Sequence, residues 1–233
     1  MTGIRLSDPA LHLTVHGNLV RNCGRGLVTG RVASRVTKVI DDRTFMEASL
    51  PLEWRYSHQY QRWNVVWTNG NEVTGTSVIE AYDPTTLRFK LTAPREIRVG
   101  DTFEVGAPGP ANWNIHDNTI TGCLSPVVLD NYGSATSQFS RNLVSRGDAV
   151  GVGQAVAIRG RYNLIGNCIT GFDEPGSAAL HLGPDRLGQP LLNLYQGNLI
   201  SHCAAGVAES APGLWQAAAR EGNVFTDCGD EPR

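Results

Sequence analysis

The sequence has no long hydrophobic run, few charged residues and no excess of charge of one sign. No apolar stretch approaches the roughly 20 residues of a membrane span, and Met1 to Asp8 lack the apolar core of a signal peptide. Lys and Arg number 20 against 22 Asp and Glu, so no concentrated basic surface is available for nucleic acid or an anionic membrane. We therefore expect neither partner.

Cysteine is scarce and shows no metal-binding pattern. The five cysteines are odd in number, and none lies in a CxxC or Cys/His pair with metal-ligand spacing. The sequence thus indicates neither a zinc site nor a full disulfide framework, and we expect no metal and no cofactor. Gly 26, Pro 12 and only 18% charged residues favour a turn-rich β protein over a helical one.

An asparagine motif repeats along the chain. Its six asparagines are, by subtraction, 100, 24, 25, 31 and 25 residues apart: Asn18, Asn118, Asn142, Asn167, Asn198 and Asn223. Three residues before them lies a column in which only the last member is not apolar: Val15, Ile115, Phe139, Leu164, Tyr195 and Arg220. A unit of about 25 residues is typical of one turn of a β-solenoid. We predict that the asparagines form a hydrogen-bonded ladder at a corner, where they tolerate the left-handed conformation.

Cysteine recurs five residues after four of these asparagines, at Cys23, Cys123, Cys203 and Cys228, and Phe172 takes the same place in another unit. A shared coil position predicts an interior column in which the thiols act as small, buried and reduced hydrophobic groups. A disulfide or a reactive thiol is the alternative.

The run Asn-x-Ile-Thr-Gly at Asn118 and Asn167, with the Asn and Cys/Phe columns, resembles the right-handed parallel β-helix superfamily that includes pectin and pectate lyases. The resemblance covers residues 1–30 and 110–228. It implies an all-β, right-handed parallel β-helix, here of about six to seven coils. The superfamily contains polysaccharide lyases, glycoside hydrolases, phage tailspikes and proteins without known activity, so the resemblance implies a carbohydrate-related protein of bacterial type but no particular reaction.

The first gap is about 75 residues longer than the others, which predicts three segments: first β-helix coils at 1–30, an inserted β-rich, barrel-like module at 31–109, and the remaining coils with a C-terminal tail at 110–233. Strands are expected at 36–40, 44–48, 77–82, 87–91 and 102–105. The arrangement looks like the inserted barrels of the α-1,3-galactosidase family of β-helix glycoside hydrolases.

The two ends of the solenoid differ. Residues 213–220 can form a short helical turn, whereas residues 1–12 contain no amphipathic helix that would close the N-terminal end. We expect that end to be covered by a missing N-terminal region, by the insertion or by another subunit of a homo-oligomer. Localisation stays open: the protein either remains where it is made or is secreted with a leader that this sequence lacks.

Strand alternation predicts an outward row of polar residues on one sheet. Val127, Leu129, Val156, Ile158, Leu180 and Leu182 are expected to point inward. The outward row then contains Asp130, Arg159 and His181, with Glu209 in the next coil facing either way. An acid, a guanidinium and an imidazole on one face can bind a sugar and move a proton, as lyases and glycosidases do. The alternative is that these charges only keep an exposed sheet soluble.

The richest aromatic stretch is a second candidate for ligand binding. Flat rings beside Arg and Gln donors hold sugar rings well, which makes substrate-binding candidates of Trp54, Arg55, Tyr56, His58, Tyr60, Trp63 and Trp67. The alternative is that the aromatics pack the insertion against the solenoid. If they do bind sugar, the ligand is expected between this segment and the outward row. His16 and His116, both two residues before an asparagine, predict a solvated or ladder-forming pair rather than a metal site.

The sequence therefore favours a polysaccharide-processing protein, either a lyase or a glycoside hydrolase, or a polysaccharide-binding domain. The alternative is a non-catalytic structural or assembly module that belongs to a longer or oligomeric protein. Whether the chain is an enzyme is left open, because the resemblance concerns the fold and not a catalytic motif.

Overall fold

The computed structural model describes residues 1–7, 12–30, 32–48, 60–69, 72–106, 112–131, 136–184 and 193–230. The chain separates into two compact units. Met1–Gly30 and Pro110–Arg233 form the first, which we call the solenoid, and Arg31–Gly109 form the second, which we call the barrel unit. Within the described ranges, no helix is long and apolar enough to cross a membrane.

The solenoid is a right-handed parallel β-helix, as the repeat and the resemblance predict. In the described residues it has three parallel sheets of six strands each, so the chain makes six coils. Neighbouring strands of a sheet come from successive coils about 4.8 Å apart, and the right hand is the usual one for parallel crossovers.

The three sheets are named here by their strands, given in order along the axis. Sheet A contains β1 (Thr2–Ser7), β4 (Arg25–Gly30), β14 (Ser125–Asn131), β17 (Gln154–Gly160), β20 (Ala178–Gly183) and β23 (Val207–Glu209). Sheet B contains β2 (His12–His16), β12 (Asn112–His116), β15 (Ser137–Ser140), β18 (Tyr162–Ile165), β21 (Leu194–Gln196) and β24 (Ala219–Glu221). Sheet C contains β3 (Leu19–Arg21), β13 (Thr119–Thr121), β16 (Leu143–Ser145), β19 (Cys168–Thr170), β22 (Leu199–Ala205) and β25 (Val224–Asp230).

The asparagine ladder is confirmed at the corner between sheets B and C. In the middle of the stack, Asn167 Oδ1 accepts hydrogen bonds from the backbone N–H of Asn142 at 3.0 Å and from its Nδ2 at 3.1 Å. Asn167 Nδ2 donates to the carbonyl of Phe139 at 2.9 Å. The same pattern joins all six asparagines; the four interior ones are at most 2% exposed, and the two terminal ones are half-buried.

The left-handed corner residue is not the asparagine itself, so that part of the sequence prediction is wrong. The residue before each asparagine has a φ between 50° and 67°: Gly17, Asp117, Arg141, Gly166, Gly197 and Gly222. The asparagine follows this turn, and its amide then points along the axis to reach the next coil. Asp117 and Arg141, which occupy the position without the freedom of glycine, are ion-paired at 2.8 Å.

The interior of the solenoid consists of apolar columns that run from coil to coil. The predicted column that begins at Val15 is in register on sheet B. The inward residues predicted on sheet A are also confirmed, since none is more than 2% exposed: Val127, Leu129, Val156, Ile158, Leu180 and Leu182. Burial of these side chains is the main source of stability, at roughly 1.5 to 3 kcal/mol for each large aliphatic group.

A helical turn covers the C-terminal end of this core, as predicted for residues 213–220. The short helix α1 (Leu214–Ala217) carries Trp215, which is 4% exposed and stacks on Tyr195 with ring centroids 5.2 Å apart. The Arg220 guanidinium carbon lies 5.4 Å from the Trp215 ring centroid. Trp215 thus closes the interior at the coil where Arg220 ends the apolar column.

The cysteine column is buried only in its middle. All five cysteines are free; Cys123 and Cys203 are 1% and 2% exposed, whereas Cys23 and Cys228 are half-buried. Cys168, which lies outside the column, is half-buried on sheet C. Burial raises the pKa of the Cys123 thiol and raises that of Cys203 to about 11.

We expect a thiol reagent to label the native protein in two phases, because only an accessible thiolate reacts. Cys23, Cys168 and Cys228 should react first, and Cys123 and Cys203 should react only on opening of the fold. Mass spectrometry of peptides after timed labelling at pH 8 measures this order. Early labelling of Cys203 together with Cys228 would contradict the interior column, and the denatured protein, in which all five should react, is the control.

The barrel unit is built from seven antiparallel strands in its described residues. They are β5 (Val32–Arg35), β6 (Lys38–Val39), β7 (Thr44–Met46), β8 (Asn64–Asn69), β9 (Glu72–Asp83), β10 (Arg88–Leu91) and β11 (Thr102–Gly106). Their order is β5-β11-β8-β9-β10-β7-β6. Only two residues separate β5 from β6, so the first and last strands of this order adjoin along the chain.

The core of the barrel unit is aromatic. Phe45 and Phe89 stack with centroids 5.3 Å apart, and Phe45 meets Phe103 edge-on at 5.2 Å. Trp67 completes the cluster 5.4 Å from Phe45, and its Nε1 donates to the Ser77 hydroxyl at 2.9 Å. The unit therefore has an interior of its own, separate from the apolar columns of the solenoid.

Candidate functional site

Two neighbouring columns of outward-facing residues cross sheet A. The first runs through Arg5, Val28, Val128, Ala157, His181 and Ala208. The second contains Asp130, Arg159 and Gly183, which are register partners in three successive coils. Most of these side chains are small, so the few long polar side chains project beyond their neighbours on this face.

The predicted outward row is therefore divided between two columns. Arg159 pairs with Asp130 on one side but with Gly183 on the other, and His181 lies two residues before Gly183 in β20. The loops between coils differ in length, so counting residues along the chain does not give the register. The two columns are two residues apart along the strands, a distance of about 7 Å, and residues two apart point to the same side of a sheet. The His181 and Arg159 side chains therefore still share one face.

The Arg159 side chain lies along the solenoid axis over the next coil. A Cβ atom at Gly183 would come within 3.0 Å of Arg159 Cγ and 3.5 Å of its Nε, so the glycine provides the space that this side chain occupies. Arg159 is half-buried, and its positive charge acts on His181.

His181 forms a hydrogen-bonded pair with Gln154. The Gln154 Nε2 atom lies 3.0 Å from His181 Nδ1, and because an amide nitrogen only donates, Nδ1 accepts and Nε2 carries the ring proton. Rotation of the amide by 180° would reverse the tautomer and leave Nε2 as an acceptor. Burial, and secondly the charge of Arg159, lower the pKa of His181 below its ordinary value of 6.5. The imidazole is therefore mainly neutral at pH 7, and in the rotated arrangement, where Nδ1 donates to the Gln154 amide oxygen, Nε2 can accept a proton from a ligand.

A pocket of about 230 Å³ adjoins this pair, and we call it the front pocket. Its wall includes Ser125, Val128, Gln154 and Ala157, with Val152 at the rim. Drug-sized ligands occupy sites of roughly 300 to 1,000 Å³, so the front pocket fits a single ring better than a larger group. A chain-like ligand would place one ring here and extend across the outer face of sheet A.

Asp130 is positioned by a buried hydroxyl from the preceding coil. Thr29 Oγ1 accepts the Asp130 backbone N–H at 2.7 Å, donates to the Asp130 carbonyl at 3.1 Å, and lies 2.8 Å from the Tyr162 hydroxyl in the core. Thr29 is 2% exposed. The backbone of Asp130 is thus held from inside, while its half-buried side chain lies on the outer face.

Glu209 does not belong to the outward row. It is the register partner of the inward residue Leu182, and its carboxylate accepts hydrogen bonds from the backbone N–H groups of Gly213, at 3.2 Å, and Trp215. Glu209 thus fixes the turn that brings Trp215 over the core, which is a structural role. Its facing, which the sequence left open, is decided by this turn.

The described part of the aromatic segment is interior. Tyr60, Trp63 and Trp67 are 0%, 5% and 1% exposed and pack within the barrel unit. Their ring faces are taken up by neighbouring side chains, so the expectation of an exposed sugar-stacking surface does not hold for these three. Trp54, Arg55, Tyr56 and His58 lie outside the described residues.

The predicted pairing of His16 with His116 is confirmed on sheet B. Their rings are stacked with centroids 5.1 Å apart, and His116 Nδ1 lies 2.6 Å from Asp117 Oδ2. Arg141 binds the same carboxylate, and together Arg141 and His116 hold the pKa of Asp117 well below its usual range. No group of three or more potential metal ligands occurs in the part of the chain that the structure describes.

The sequence pattern does not single out Gln154, Gly183 or Thr29. Gln154 begins its strand before the alternating residues, Gly183 ends its strand, and Thr29 occupies an inward position. A signal did exist for Thr29, because it is a polar residue in a column whose other members, apart from Glu209 at the C-terminal end, are Leu6, Leu129, Ile158 and Leu182. Recognising it requires the register, which the sequence alone does not give.

No protein-family model matches this sequence, and no curated protein matches it. Two solved structures are similar over most of the chain. The tailspike protein gp49 from Pseudomonas phage LKA1 is 9% identical over 97% of this chain and 47% of its own, with a TM-score of 0.28. The Gp54 tailspike of Acinetobacter baumannii bacteriophage AP22, solved in complex with A. baumannii capsular saccharide, is 8% identical over 91% and 65%, with a TM-score of 0.23.

The chain spans less than two thirds of the length of either tailspike. At this level of identity and superposition, neither likeness transfers a function. The class of the solenoid follows from its own sheet topology: it is a right-handed parallel β-helix.

Proposed function

We propose that the solenoid binds a saccharide on the outer face of sheet A and that it processes a polysaccharide there. One observation carries this proposal: the Gln154–His181 pair, Arg159 and Asp130 share that face, and Gln154 also lines the front pocket. The neutral Gln154–His181 pair supplies a donor and an acceptor, Arg159 supplies a cation and Asp130 a carboxylate, and these groups match the hydroxyl and carboxylate groups of a sugar.

The arrangement favours a lyase over a glycoside hydrolase. Glycoside hydrolysis normally uses two carboxyl groups on either side of the bond, and without Glu209 the described part of this face has Asp130 alone. A lyase needs a base to remove a proton next to a carboxylate and a cation to stabilise the charge that develops. His181, neutral at pH 7, fits the base, and Arg159 fits the cation. Asp130 is the second group able to exchange a proton.

A screen of acidic and neutral polysaccharides tests the proposal, with binding measured by affinity electrophoresis and cleavage by ultraviolet absorbance of unsaturated products. We expect acidic polysaccharides in the gel to retard the protein most. Arg159→Ala should weaken that retardation about tenfold to a hundredfold, because a charge-assisted contact is lost. Gly183→Ala should have a smaller effect of the same kind, since it displaces Arg159 without removing its charge.

The matched control is Arg21→Ala, which removes an exposed arginine from the outer face of sheet C. Equal losses in the Arg21 and Arg159 variants would mean that binding follows total charge and not this face. Full binding by Arg159→Ala would place the saccharide elsewhere.

A second candidate function, assembly, has one observation in its favour. The outward column of sheet C exposes apolar side chains along the solenoid: Leu19 is 63%, Leu143 39%, Leu199 44% and Val224 52% exposed. If the screen shows neither binding nor cleavage, and the chain self-associates until Leu199→Glu is introduced, this column is an interface between copies and the assembly function replaces the first proposal.

A further inference from the structure

The barrel unit holds an arginine side chain that the solenoid site does not use. Arg95 follows β10, and its backbone N–H donates to the carbonyl of Asp42 at 2.8 Å. Its guanidinium carbon lies 4.8 Å from the centroid of the Trp67 ring, so the cation rests on an indole of the barrel core. The side chain is half-buried; the hydrogen bond to Asp42 holds its backbone, and the contact with the Trp67 ring holds its guanidinium group.

The barrel backbone is shaped to admit this guanidinium. Trp67 pairs with Gly75 across β8 and β9, and the register shifts between Trp67 and Thr68. A Cβ atom at Gly75 would come within 2.6 Å of Arg95 Nη1. Any side chain at position 75 would therefore displace the guanidinium from the indole, and the glycine keeps that space open.

Arg95, unlike Lys90 and Arg98, has no carboxylate partner in the described part of the chain. Lys90 pairs with Glu80 at 2.8 Å and Arg98 pairs with Glu96. Arg95 Nε, in contrast, is shielded from solvent and has no hydrogen-bond partner in the described part of the chain. No described group of the chain therefore satisfies this donor or balances the charge of the guanidinium, which favours an anionic ligand beside it.

A pocket of about 440 Å³ opens beside the guanidinium. Its wall includes Asn69, Thr74, Thr68 and Thr102. The hydroxyls of Thr68 and Thr102 bond to each other at 2.9 Å and the Thr102 hydroxyl donates to the Thr68 carbonyl, so toward a ligand these two hydroxyls act as acceptors. The wall also includes Asp101, whose carboxylate accepts the backbone N–H of Arg98 at 2.9 Å. The pocket thus combines one cation, one fixed carboxylate and several hydroxyl or amide groups.

We propose that this pocket, the Arg95 pocket, binds the carboxylate of a hydroxylated acid, the chemical class that includes acidic sugars. The planar guanidinium fork matches a carboxylate, and the threonine and asparagine side chains match hydroxyl groups. A dianionic phosphate fits less well, because Asp101 repels a second negative charge and only one arginine is present. The site lies within the barrel unit and is independent of the function proposed for sheet A.

The test uses the full chain and nuclear magnetic resonance, with the Trp67 Nε1–H resonance as a local probe, assigned from Trp67→Phe. Titration with glucuronate should shift this resonance saturably, with a dissociation constant on the order of 1 mM for a ligand of this size. Glucose and inorganic phosphate are the comparison ligands. Because the readout belongs to the barrel unit, a failure of the sheet A proposal does not affect it.

The variants distinguish the effect of the positive charge from the effect of the paired N–H donors of the guanidinium group. Arg95→Ala should abolish saturation, and Arg95→Lys, which keeps the charge but loses the paired donors, should weaken binding about tenfold. Asn69→Ala and Thr102→Val, both at exposed positions, should weaken it severalfold, with the folded state of each variant checked by its spectrum. Arg98→Ala, in the same loop but paired with Glu96, is the control and should change nothing.

Several results would overturn the proposal. They are no shift with glucuronate, an equal response to glucose, tighter binding of phosphate, or unchanged binding in Arg95→Ala. The absence of any shift with glucuronate, together with intact spectra of the variants, would mean that Arg95 serves only to cover Trp67.

Discussion

Replacing Asn167 by alanine should destabilise the solenoid by about 2 to 5 kcal/mol. The substitution removes the acceptor for the N–H of Asn142, at 3.0 Å, and the donor to the carbonyl of Phe139, at 2.9 Å. Both backbone groups lie inside the stack, where water does not replace the lost partner, and each unsatisfied group costs about 1 to 3 kcal/mol. Urea denaturation followed by circular dichroism measures the effect as a lower midpoint.

The matched control is Asn223→Ala at the end of the same ladder. Asn223 makes the corresponding bonds to Asn198 and to the carbonyl of Tyr195, but it is half-buried, so water can replace part of what is lost. We expect a cost of about 1 kcal/mol there. Equal effects at positions 167 and 223 would mean that burial does not set the strength of the ladder.

The second large effect is expected at His181. If sheet A carries a lyase site, His181→Ala should lower kcat by about 10² to 10⁴-fold with little change in KM, the usual contribution of a positioned acid or base. The pKa of His181 lies below 6.5 in the folded protein, so the neutral base is the main form at pH 7. In the wild-type protein, kcat should fall as the pH drops through that lowered pKa, with a midpoint below 6.5.

Two further variants make this result specific. His12→Ala removes an exposed histidine from sheet B and should leave the kinetics unchanged. Gln154→Leu removes the partner of His181 Nδ1 and should shift the pH profile more than the rate at its plateau. A His181→Ala protein with wild-type kcat would exclude this residue as the base, and Asp130→Asn would then be the next variant to measure.

For the aromatic residues Tyr60, Trp63 and Trp67, the sequence did not distinguish a binding surface from a protein core. Residues 64–69 form β8, a barrel strand that the sequence analysis did not predict, and Trp67 faces the barrel core. A tryptophan next to arginine and glutamine has the same local signature on a binding surface and in a small core. The neighbours that distinguish the two, such as Phe45 and Phe103, come from distant parts of the chain.

The sequence by itself determined the solenoid, its six asparagines and its inward columns, because a stacked coil repeats its chemistry at nearly constant spacing. The interval between Asn142 and Asn167 therefore already encodes a shared corner. Only the tertiary structure decided the outer face. Loops of different length set the register of each strand, and that register paired Arg159 with Gly183, placed His181 beside Gln154, and turned Glu209 toward the backbone of Trp215. The pattern of buried hydrophobic residues repeats along the chain and can be recognised in the sequence. Contacts between polar side chains depend on three-dimensional distances that no local sequence pattern encodes.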